Sequence, residues 1–207
     1  MIKVVTLKNT YYSNTYLVGD EKEVIIIDPS SNIDKIKYAI KSRKLLGVFL
    51  THGHYDHFKT LNEVLSYYDV KCYLHQEAYK KLSEPRISYA IMFGDENNHQ
   101  LPFDRVHFLK NNELITFSDD FQIKVLYTPG HTNCSVVYLI DDIMFSGDTL
   151  FKGTVGRTDL ATSNHYQLFE SINQLLNLKT NYVIYPGHEE PTTLVDEQLT
   201  NPFYKLD

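Results

Sequence analysis

The sequence predicts an α/β fold in which groups of strands are interrupted by amphipathic helices. Short runs rich in β-branched, aromatic and apolar residues recur along the chain and are bounded by Gly, Pro, Asn and Asp. Several of these runs end on a glycine that is followed at once by a histidine or an aspartate. Because such a glycine lets the backbone approach a site closely while the strand fixes the next side chain, we expect a site assembled at strand ends.

The first half of the chain is predicted to begin with a three-stranded meander and to continue with alternating helices and strands. The spacing of Ile33, Ile36 and Ile40 indicates that the first helix is amphipathic. The predicted strands span residues 4–7, 14–18, 23–28, 47–50 and 70–75, and the predicted helices span 33–40, 56–68 and 76–82.

From residue 106 onwards the pattern returns to strands, with hairpin turns predicted at Asp119-Asp120 and Asp141-Asp142. A long helix and a last strand follow. The predicted strands span 106–109, 113–117, 121–127, 135–140, 143–146 and 182–185, and the helix spans 164–178. Because the chain has 207 residues and contains no linker-like or low-complexity segment, we expect a single domain, 1–207.

Two features leave alternatives open. Residues 84–105 lack a regular period, because Pro85, Gly94 and Pro102 interrupt their apolar and aromatic residues. This segment is either a flap over a pocket or a part of the chain that packs against the core. Asp28, at the end of a predicted strand, is either an ordinary turn residue or a carboxylate that orients a metal-binding histidine.

Composition argues against several classes of protein. The net charge of −6 and the pI near 5.8 give no basic surface for nucleic acid, which disfavours a nuclease. The first residues are too short and too alternating for a signal peptide, and no apolar run reaches membrane-spanning length. We therefore expect a cytoplasmic protein that does not contact membranes. Cys72 and Cys134 form neither a disulfide framework nor a closely spaced metal-binding pair.

The segment 51–57 carries the strongest chemical signal, because it places three histidines and one aspartate directly after the apolar run 47–50. In an extended segment the side chains of His52 and His54 point the same way, so the two are able to bind one ion. Gly53 lets the backbone bend between them. Burying this much polarity without a partner costs several kcal/mol for each charged group, so the cluster predicts a metal site.

Further ligands extend this cluster. Asp56 and His57 fall where a helix is predicted to begin, so they point from a different origin and suit a second ion. Three later strand ends present His131, Asp148 and His188. Five imidazoles and two carboxylates suit borderline divalent ions, zinc first, with iron or manganese as alternatives. Because seven ligands exceed what one ion needs, the set predicts two ions that share a carboxylate and leave a position for water.

Four motifs stand together at these positions: Thr51-His52-Gly53-His54-Tyr55-Asp56-His57, Pro129-Gly130-His131, Ser146-Gly147-Asp148-Thr149 and Pro186-Gly187-His188. This set resembles the metallo-β-lactamase superfamily, most closely its glyoxalase II-like (hydroxyacylglutathione hydrolase-like) members. The segment 156–160 and the tail 192–203 resemble the short bacterial subgroup of these enzymes. The resemblance extends over nearly the whole chain.

The resemblance implies an αββα sandwich of the metallo-β-lactamase type with the metal ions at one edge. It implies two sets of ligands, His52, His54 and His131 for one ion and Asp56, His57 and His188 for the other, with Asp148 as a bridge. The implied activity is hydrolysis of a thioester, such as S-D-lactoylglutathione or a related hydroxyacyl-thiol, by a hydroxide that bridges the metals. Asp148 and Asp56 are then catalytic as well as ligands, and Asp56 is able to accept a proton.

The sequence departs from glyoxalase II enzymes where those enzymes bind glutathione. Their Gly-Lys-Phe-Tyr segment corresponds to residues 156–159, so Arg157 keeps the charge while Asp159 replaces the tyrosine. Arg157 has two open roles: it binds a substrate carboxylate, or it makes a structural contact with Asp159 or the Asp148 loop. An alternative for the whole protein is a persulfide dioxygenase with a single iron, which shares Gly-Arg-Thr-Asp but has phenylalanine where Leu160 stands here. Another is a hydrolase of a different small ester or lactone.

Overall fold

A computed structural model describes residues 2–9 and 11–204 of the chain. The chain divides into two compact units, Met1–Leu109 and Lys110–Asp207, and over the described residues each unit is built on its own six-stranded mixed sheet. The predicted α/β class is therefore confirmed. That residues 1–207 form a single domain stays a prediction. Within the described part of the chain, no helix combines the length and the apolar character needed to cross a membrane.

The elements of the first unit follow in the order β1 (Lys3–Leu7), β2 (Thr15–Gly19), β3 (Glu23–Ile27), α1 (Ile33–Ile40), β4 (Lys44–Phe49), α2 (Tyr55–Phe58), α3 (Leu61–Tyr67), β5 (Cys72–Leu74), α4 (Gln76–Lys81) and β6 (Val106–Phe108). Sheet neighbours follow the same order from β1 to β6. The first two pairs are antiparallel and the remaining three are parallel. The predicted meander is thus confirmed.

The parallel part of this sheet places polar residues at one edge. Strand β3 is an almost continuous run of buried Val and Ile, which is typical of a strand inside a parallel sheet. Because β3, β4 and β5 run parallel, their carboxyl ends meet at the same edge. Asp28 follows β3, residues 51–54 follow β4, and His75 follows β5. The ligand-type residues of this unit therefore lie at the carboxyl edge of the sheet.

The prediction of one helix over 56–68 is wrong, because the structure has two helices, α2 and α3, with a break between them. The backbone N–H of Thr60 donates to the carbonyl of Pro29 at 2.9 Å, and its hydroxyl donates to the carbonyl of Ser31 at 2.8 Å. Both bonds divert the chain from a helical path at this point. Helix α2 is left as a single turn that carries two of the predicted ligands.

The elements of the second unit follow in the order β7 (Leu114–Ser118), β8 (Phe121–Tyr127), β9 (Val136–Ile140), β10 (Ile143–Gly147), β11 (Leu150–Phe151), β12 (Thr154–Val155), α5 (His165–Leu176), β13 (Val183–Pro186), β14 (Thr192–Thr193) and α6 (Leu194–Thr200). Sheet neighbours run β14-β13-β10-β9-β8-β7, and of these pairs only β10–β13 is parallel. Strands β11 and β12 form a separate hairpin. The longer strands and α5 match the prediction. The two-residue strands β11, β12 and β14 were not predicted, because such short strands show no periodicity in the sequence.

The last helix is tied to the hairpin through a buried carboxylate. Glu197 of α6 is 1% exposed. Its Oε1 accepts a hydrogen bond from Thr192 Oγ1 at 2.7 Å, and its Oε2 accepts from Gly153 N at 2.9 Å and from Asn201 Nδ2 at 2.8 Å. Because these donors satisfy the carboxylate, its burial is tolerated. The contact fixes the β11–β12 hairpin against the end of the described chain.

Candidate metal centre

Strand β4 leads directly to two buried histidines. His54 has extended backbone and precedes α2, and His52 lies two residues before it. Their exposed fractions are 1% for His52 and 6% for His54. The Nε2 atom of His52 lies 3.0 Å from the Nδ1 atom of His54. Two ring nitrogens that face each other at this distance share either a proton or a cation.

Asp28 and Thr51 orient the imidazoles of this unit. Asp28 Oδ1 accepts from Thr51 N at 2.8 Å, and Asp28 Oδ2 accepts from Thr51 Oγ1 at 2.7 Å and from His57 Nδ1 at 2.8 Å. Because a carboxylate only accepts, His57 carries its proton on Nδ1 and keeps a lone pair on Nε2. Because the Thr51 hydroxyl donates its hydrogen to Asp28, its oxygen is left to accept a hydrogen bond from His52 Nδ1 at 3.1 Å. His52 likewise keeps a lone pair on Nε2.

Helix α2 adds the remaining donors of the first unit. Asp56 Oδ2 lies 3.8 Å from His57 Nε2, and the side chain of Asp56 is 20% exposed whereas His57 is fully buried. Ligand atoms of His52 and His57 approach within 4.8 Å. Asp28 thus contacts a predicted ligand rather than merely closing a turn. The first unit groups four donors, those of His52, His54, Asp56 and His57, and we call them the first donor group.

In the second unit, the loop after β8 carries His131. Gly130 has a φ of 141°, and a Cβ at this position would lie 2.2 Å from the backbone of Leu168 in α5. Only glycine allows this approach. Asn164 N, at the start of α5, donates to the carbonyl of Gly130 at 2.8 Å. The helix therefore holds the loop that positions His131, which is 2% exposed.

Asp148 lies between two imidazoles. It follows β10, and His188 follows the parallel neighbour β13, with Gly187 N donating to the carbonyl of Gly147 at 2.8 Å. Asp148 Oδ2 lies 3.6 Å from His131 Nε2 and also 3.6 Å from His188 Nε2. One carboxylate oxygen is therefore equidistant from two ring nitrogens. We call His131, Asp148 and His188 the second donor group.

The segment after β12 supports this group. His131 Nδ1 donates to the backbone carbonyl of Arg157 at 3.0 Å, which leaves a lone pair on Nε2. A Cβ on Gly156 would lie 1.9 Å from the carbonyl oxygen of Asp148, so the close approach requires glycine. The guanidinium of Arg157 donates to both carboxylate oxygens of Asp159, at 2.6 and 2.7 Å. This pairing lowers the pKa of Asp159 from 3.8 to about 2.

The donor spacings fit metal ions better than hydrogen bonds. Hydrogen bonds between nitrogen and oxygen span about 2.7–3.2 Å. The His57–Asp56, His131–Asp148 and His188–Asp148 separations are 3.8, 3.6 and 3.6 Å. Two donors that bind one zinc ion at about 2.0–2.1 Å in tetrahedral geometry lie about 3.3–3.4 Å apart. These three pairs therefore have the atom types and the approximate spacing of two ligands that bind the same divalent ion.

Other titratable residues of the first unit have separate roles. Burial, with a smaller effect of the Asp28 carboxylate, raises the pKa of Cys72, so this thiol stays protonated. His75 Nδ1 accepts from Glu77 N at 3.1 Å and thereby caps α4. His99 Nε2 lies 3.0 Å from a carboxylate oxygen of Asp95. These contacts agree with the absence of the three residues from the predicted ligand set.

Two orienting groups are absent from the sequence prediction. The hydroxyl of Thr51 links Asp28 to His52, and the only sequence signal for this role is its position next to the first histidine. The carbonyl of Arg157 accepts from His131. A backbone carbonyl carries no residue-specific signal, so the sequence offers no means of finding it.

A family model described as the metallo-beta-lactamase superfamily matches residues 9–188. The chain belongs to this superfamily. A probable metallo-hydrolase of Streptococcus pyogenes is 35% identical over 206 residues, which are 96% of this chain and 88% of that protein. The hydroxyacylglutathione hydrolase GloC of Haemophilus influenzae is 32% identical over 189 residues, which are 89% of this chain and 88% of that protein. The predicted membership of a glyoxalase II-like group is confirmed, and the protein is a metal-dependent hydrolase of the superfamily.

Solved structures confirm the predicted αββα fold class. BLEG-1, described as a B3 metallo-beta-lactamase, matches with a TM-score of 0.87 and 32% identity over 98% of this chain and 99% of that one. TTHA1623, described in a di-iron-bound form, matches with a TM-score of 0.82 and 31% identity over 98% of this chain and 100% of that one. ETHE1 from Myxococcus xanthus matches with a TM-score of 0.74 and 27% identity over 97% of this chain and 83% of that one.

Proposed function

We propose that the two donor groups together hold two neighbouring divalent metal ions. His52, His54 and His131 would hold one ion, Asp56, His57 and His188 would hold the other, and Asp148 would be the ligand that both share. The observation that carries the proposal is the position of Asp148 Oδ2, 3.6 Å from the Nε2 atoms of two different histidines. A carboxylate oxygen with an imidazole ring nitrogen on either side suits a bridge between two cations, because it supplies negative charge to both.

Zinc is the metal that we propose first. Five imidazoles with carboxylates suit a borderline ion, and the fixed tautomers of His52, His57 and His131 each present a ring-nitrogen lone pair to it. Zinc has no redox chemistry, and hydrolysis requires none. Iron is the alternative, supported by the likeness to TTHA1623 in its di-iron-bound form. Manganese remains compatible with the donor types.

The chain's own residues prepare the site for hydrolysis. Metal ions in such a site lower the pKa of bound water to about 7 and polarise a substrate carbonyl. Asp28 and the Arg157 carbonyl keep the protons of His57 and His131 on Nδ1, so these rings are ordered before a substrate arrives. Asp56 is the most exposed member of the first donor group and is therefore the carboxylate best suited to accept a proton.

The substrate that we propose is a thioester of a hydroxy acid, such as S-D-lactoylglutathione or a related hydroxyacyl-thiol. Support comes from the likeness to GloC, which is described as a hydroxyacylglutathione hydrolase. Arg157 either binds a carboxylate of this substrate or makes a structural contact with Asp159. The Arg157 side chain is 64% exposed and its guanidinium is paired with Asp159, so a substrate carboxylate that binds it has to displace Asp159.

A second candidate is hydrolysis of a β-lactam. The likeness to BLEG-1, which covers nearly the whole of both chains, favours this activity. Hydrolysis of a β-lactam and hydrolysis of a thioester both add water to a carbonyl carbon, so one metal site suits either reaction. The same addition of water to a carbonyl carbon also cleaves small esters and lactones, so these are further candidate substrates. A substrate panel therefore needs a chromogenic cephalosporin and a lactone beside the thioesters.

The test combines metal analysis with an anaerobic hydrolysis assay on the purified full chain. We expect two metal ions per chain and release of free thiol from S-D-lactoylglutathione. We expect Asp148→Ala to lose bound metal and to lower kcat/KM at least about a hundredfold, because the proposed bridge is absent. Asp142→Ala, which removes an exposed carboxylate in a hairpin turn, is the matched control and should retain both metals and activity.

Two results would contradict the proposal. Full turnover by Asp148→Ala would exclude a role for this carboxylate in the site. One iron per chain, with consumption of oxygen on glutathione persulfide and no anaerobic thioester cleavage, would instead indicate an oxygenase.

A further inference from the structure

Tyr89 has an unusual backbone conformation for an aromatic residue. Its φ is 63° and its ψ is 15°, in the left-handed region. A bulky side chain rarely adopts this region, because the Cβ crowds the backbone, and such residues cluster at functional sites. Tyr89 lies in the irregular segment 84–105, directly before the 3-10 turn Ala90–Phe93.

The Tyr89 ring lies against a proposed metal ligand. Its centroid is 5.3 Å from the centroid of the His54 imidazole, and the two rings are inclined by 75°. This edge-to-face arrangement is one that aromatic rings favour, and it limits the rotation of the partner ring. The Nδ1 atom of His54 faces His52 at 3.0 Å in the same arrangement. The contact with Tyr89 therefore limits the direction in which the His54 ring points its Nδ1 atom.

Hydrogen bonds on either side hold Tyr89 in place. The carbonyl of the preceding residue, Ser88, accepts from Tyr55 N at 2.8 Å. Further along the segment, Asp95 Oδ2 accepts from the Tyr55 hydroxyl at 2.6 Å, and Asp95 N donates to the carbonyl of Ala90 at 3.1 Å. Both anchors involve the residue that follows His54 in the chain. Residues 88–95 are thus held against Tyr55, next to the first donor group, by hydrogen bonds.

We propose that Tyr89 is a positioning residue for His54, and that its left-handed backbone is retained because it brings the ring onto the imidazole. The proposal rests on the proposed function, in which His54 binds one of two metal ions. A ring that restricts an imidazole to its binding orientation raises metal affinity, because less freedom is lost on binding. A side chain selected only for local stability would instead be replaceable by glycine without effect on metal binding.

Three substitutions separate the effect of the Tyr89 ring from the effect of its left-handed backbone conformation. Tyr89→Phe keeps the ring and should bind metal as the unmodified chain does. Tyr89→Leu keeps the left-handed strain but removes the ring, and Tyr89→Gly removes both. We expect Leu and Gly to weaken one of two zinc-binding steps about tenfold. The apo form of Tyr89→Gly should melt no lower than that of Tyr89→Leu, because glycine tolerates the conformation.

The measurement is a zinc titration of the apo-protein against a chromogenic chelator, with thermal unfolding of each apo variant alongside. Met92→Ala is the matched control, because Met92 is 77% exposed in the same turn and should bind zinc normally. Unchanged zinc affinity in both Tyr89→Leu and Tyr89→Gly, or an equal loss in Met92→Ala, would overturn the inference. Absence of two binding steps in the unmodified chain would overturn the proposed function itself.

Discussion

Substitution of Asp28 by asparagine tests the orientation of His57 with little change of shape. Asparagine has the same outline as aspartate and tolerates the φ of 51° at this position. Its carbonyl oxygen is able to keep the bond from Thr51 N. Its amide nitrogen, however, donates where Asp28 Oδ2 accepts from His57 Nδ1. The favoured tautomer of His57 then carries its proton on Nε2, which is the atom needed for a metal.

The magnitudes follow from these contacts. Hydrogen bonds to a charged group contribute about 1.5–3 kcal/mol each, and the substitution weakens those at Oδ2, whereas it keeps the one at Oδ1. We therefore expect the free energy of unfolding of the apo-protein to fall by about 1–3 kcal/mol. Loss of a group that orients a ligand lowers metal affinity by about 10–100-fold, and we expect this loss at the ion that His57 binds.

Three measurements check this prediction: chemical denaturation of the apo-protein, zinc titration, and nitrogen NMR of the imidazole, which distinguishes the two tautomers. Asp34→Asn, at an exposed position in the first turn of α1, is the control and should change none of the three. Unchanged affinity of Asp28→Asn for both ions, or a His57 proton that stays on Nδ1, would refute the proposed orientation of His57 by Asp28.

Four further predictions concern other parts of the structure. Gly130→Ala should lower the free energy of unfolding by about 1–3 kcal/mol or more, because the added Cβ lies 2.2 Å from Leu168. Gly153→Ala, at a φ of 69° with open space around the added Cβ, should lower it by about 1 kcal/mol. Equal losses of the two variants in urea denaturation would contradict this prediction. Arg157→Gln should raise the pKa of Asp159 from about 2 towards 3.8, measured by carboxyl NMR, and leave KM within about twofold; a tenfold rise in KM would assign the guanidinium to substrate binding. The Arg157–Asp159 ion pair should be lost as pH falls through about 2, because protonation of Asp159 then removes the carboxylate charge. Zinc at a hundred times its Kd should stabilise the apo-protein by about 2.7 kcal/mol, and an unfolding midpoint independent of zinc would exclude binding to the folded state.

Periodicity and strand-end chemistry were sufficient to predict much of this protein. The alternation of apolar residues placed β8 and the spacing of Leu168, Ile172 and Leu175 placed α5, because these signals reflect burial on one face. The histidines and aspartates stood out because they follow buried strands. Parallel strands deliver their carboxyl ends to one edge, so neighbours in a sheet bring such residues together.

The features that the sequence did not predict depend on contacts between distant segments. Thr60 interrupts a helix because it bonds to Pro29 and Ser31, and neither partner is visible from the helical pattern. The carbonyl of Arg157 orients His131 whatever side chain stands at 157. Tyr89 adopts a left-handed conformation that its residue type disfavours. Local preference predicts none of these contacts, because tertiary packing decides them.

The most direct test of a binuclear centre is a crystal structure of the zinc-loaded protein with anomalous scattering measured at the zinc edge. We predict two zinc peaks per chain, with carboxylate oxygens of Asp148 about 2.0–2.2 Å from both ions. A single peak at full occupancy, or two peaks neither of which contacts Asp148, would contradict the account.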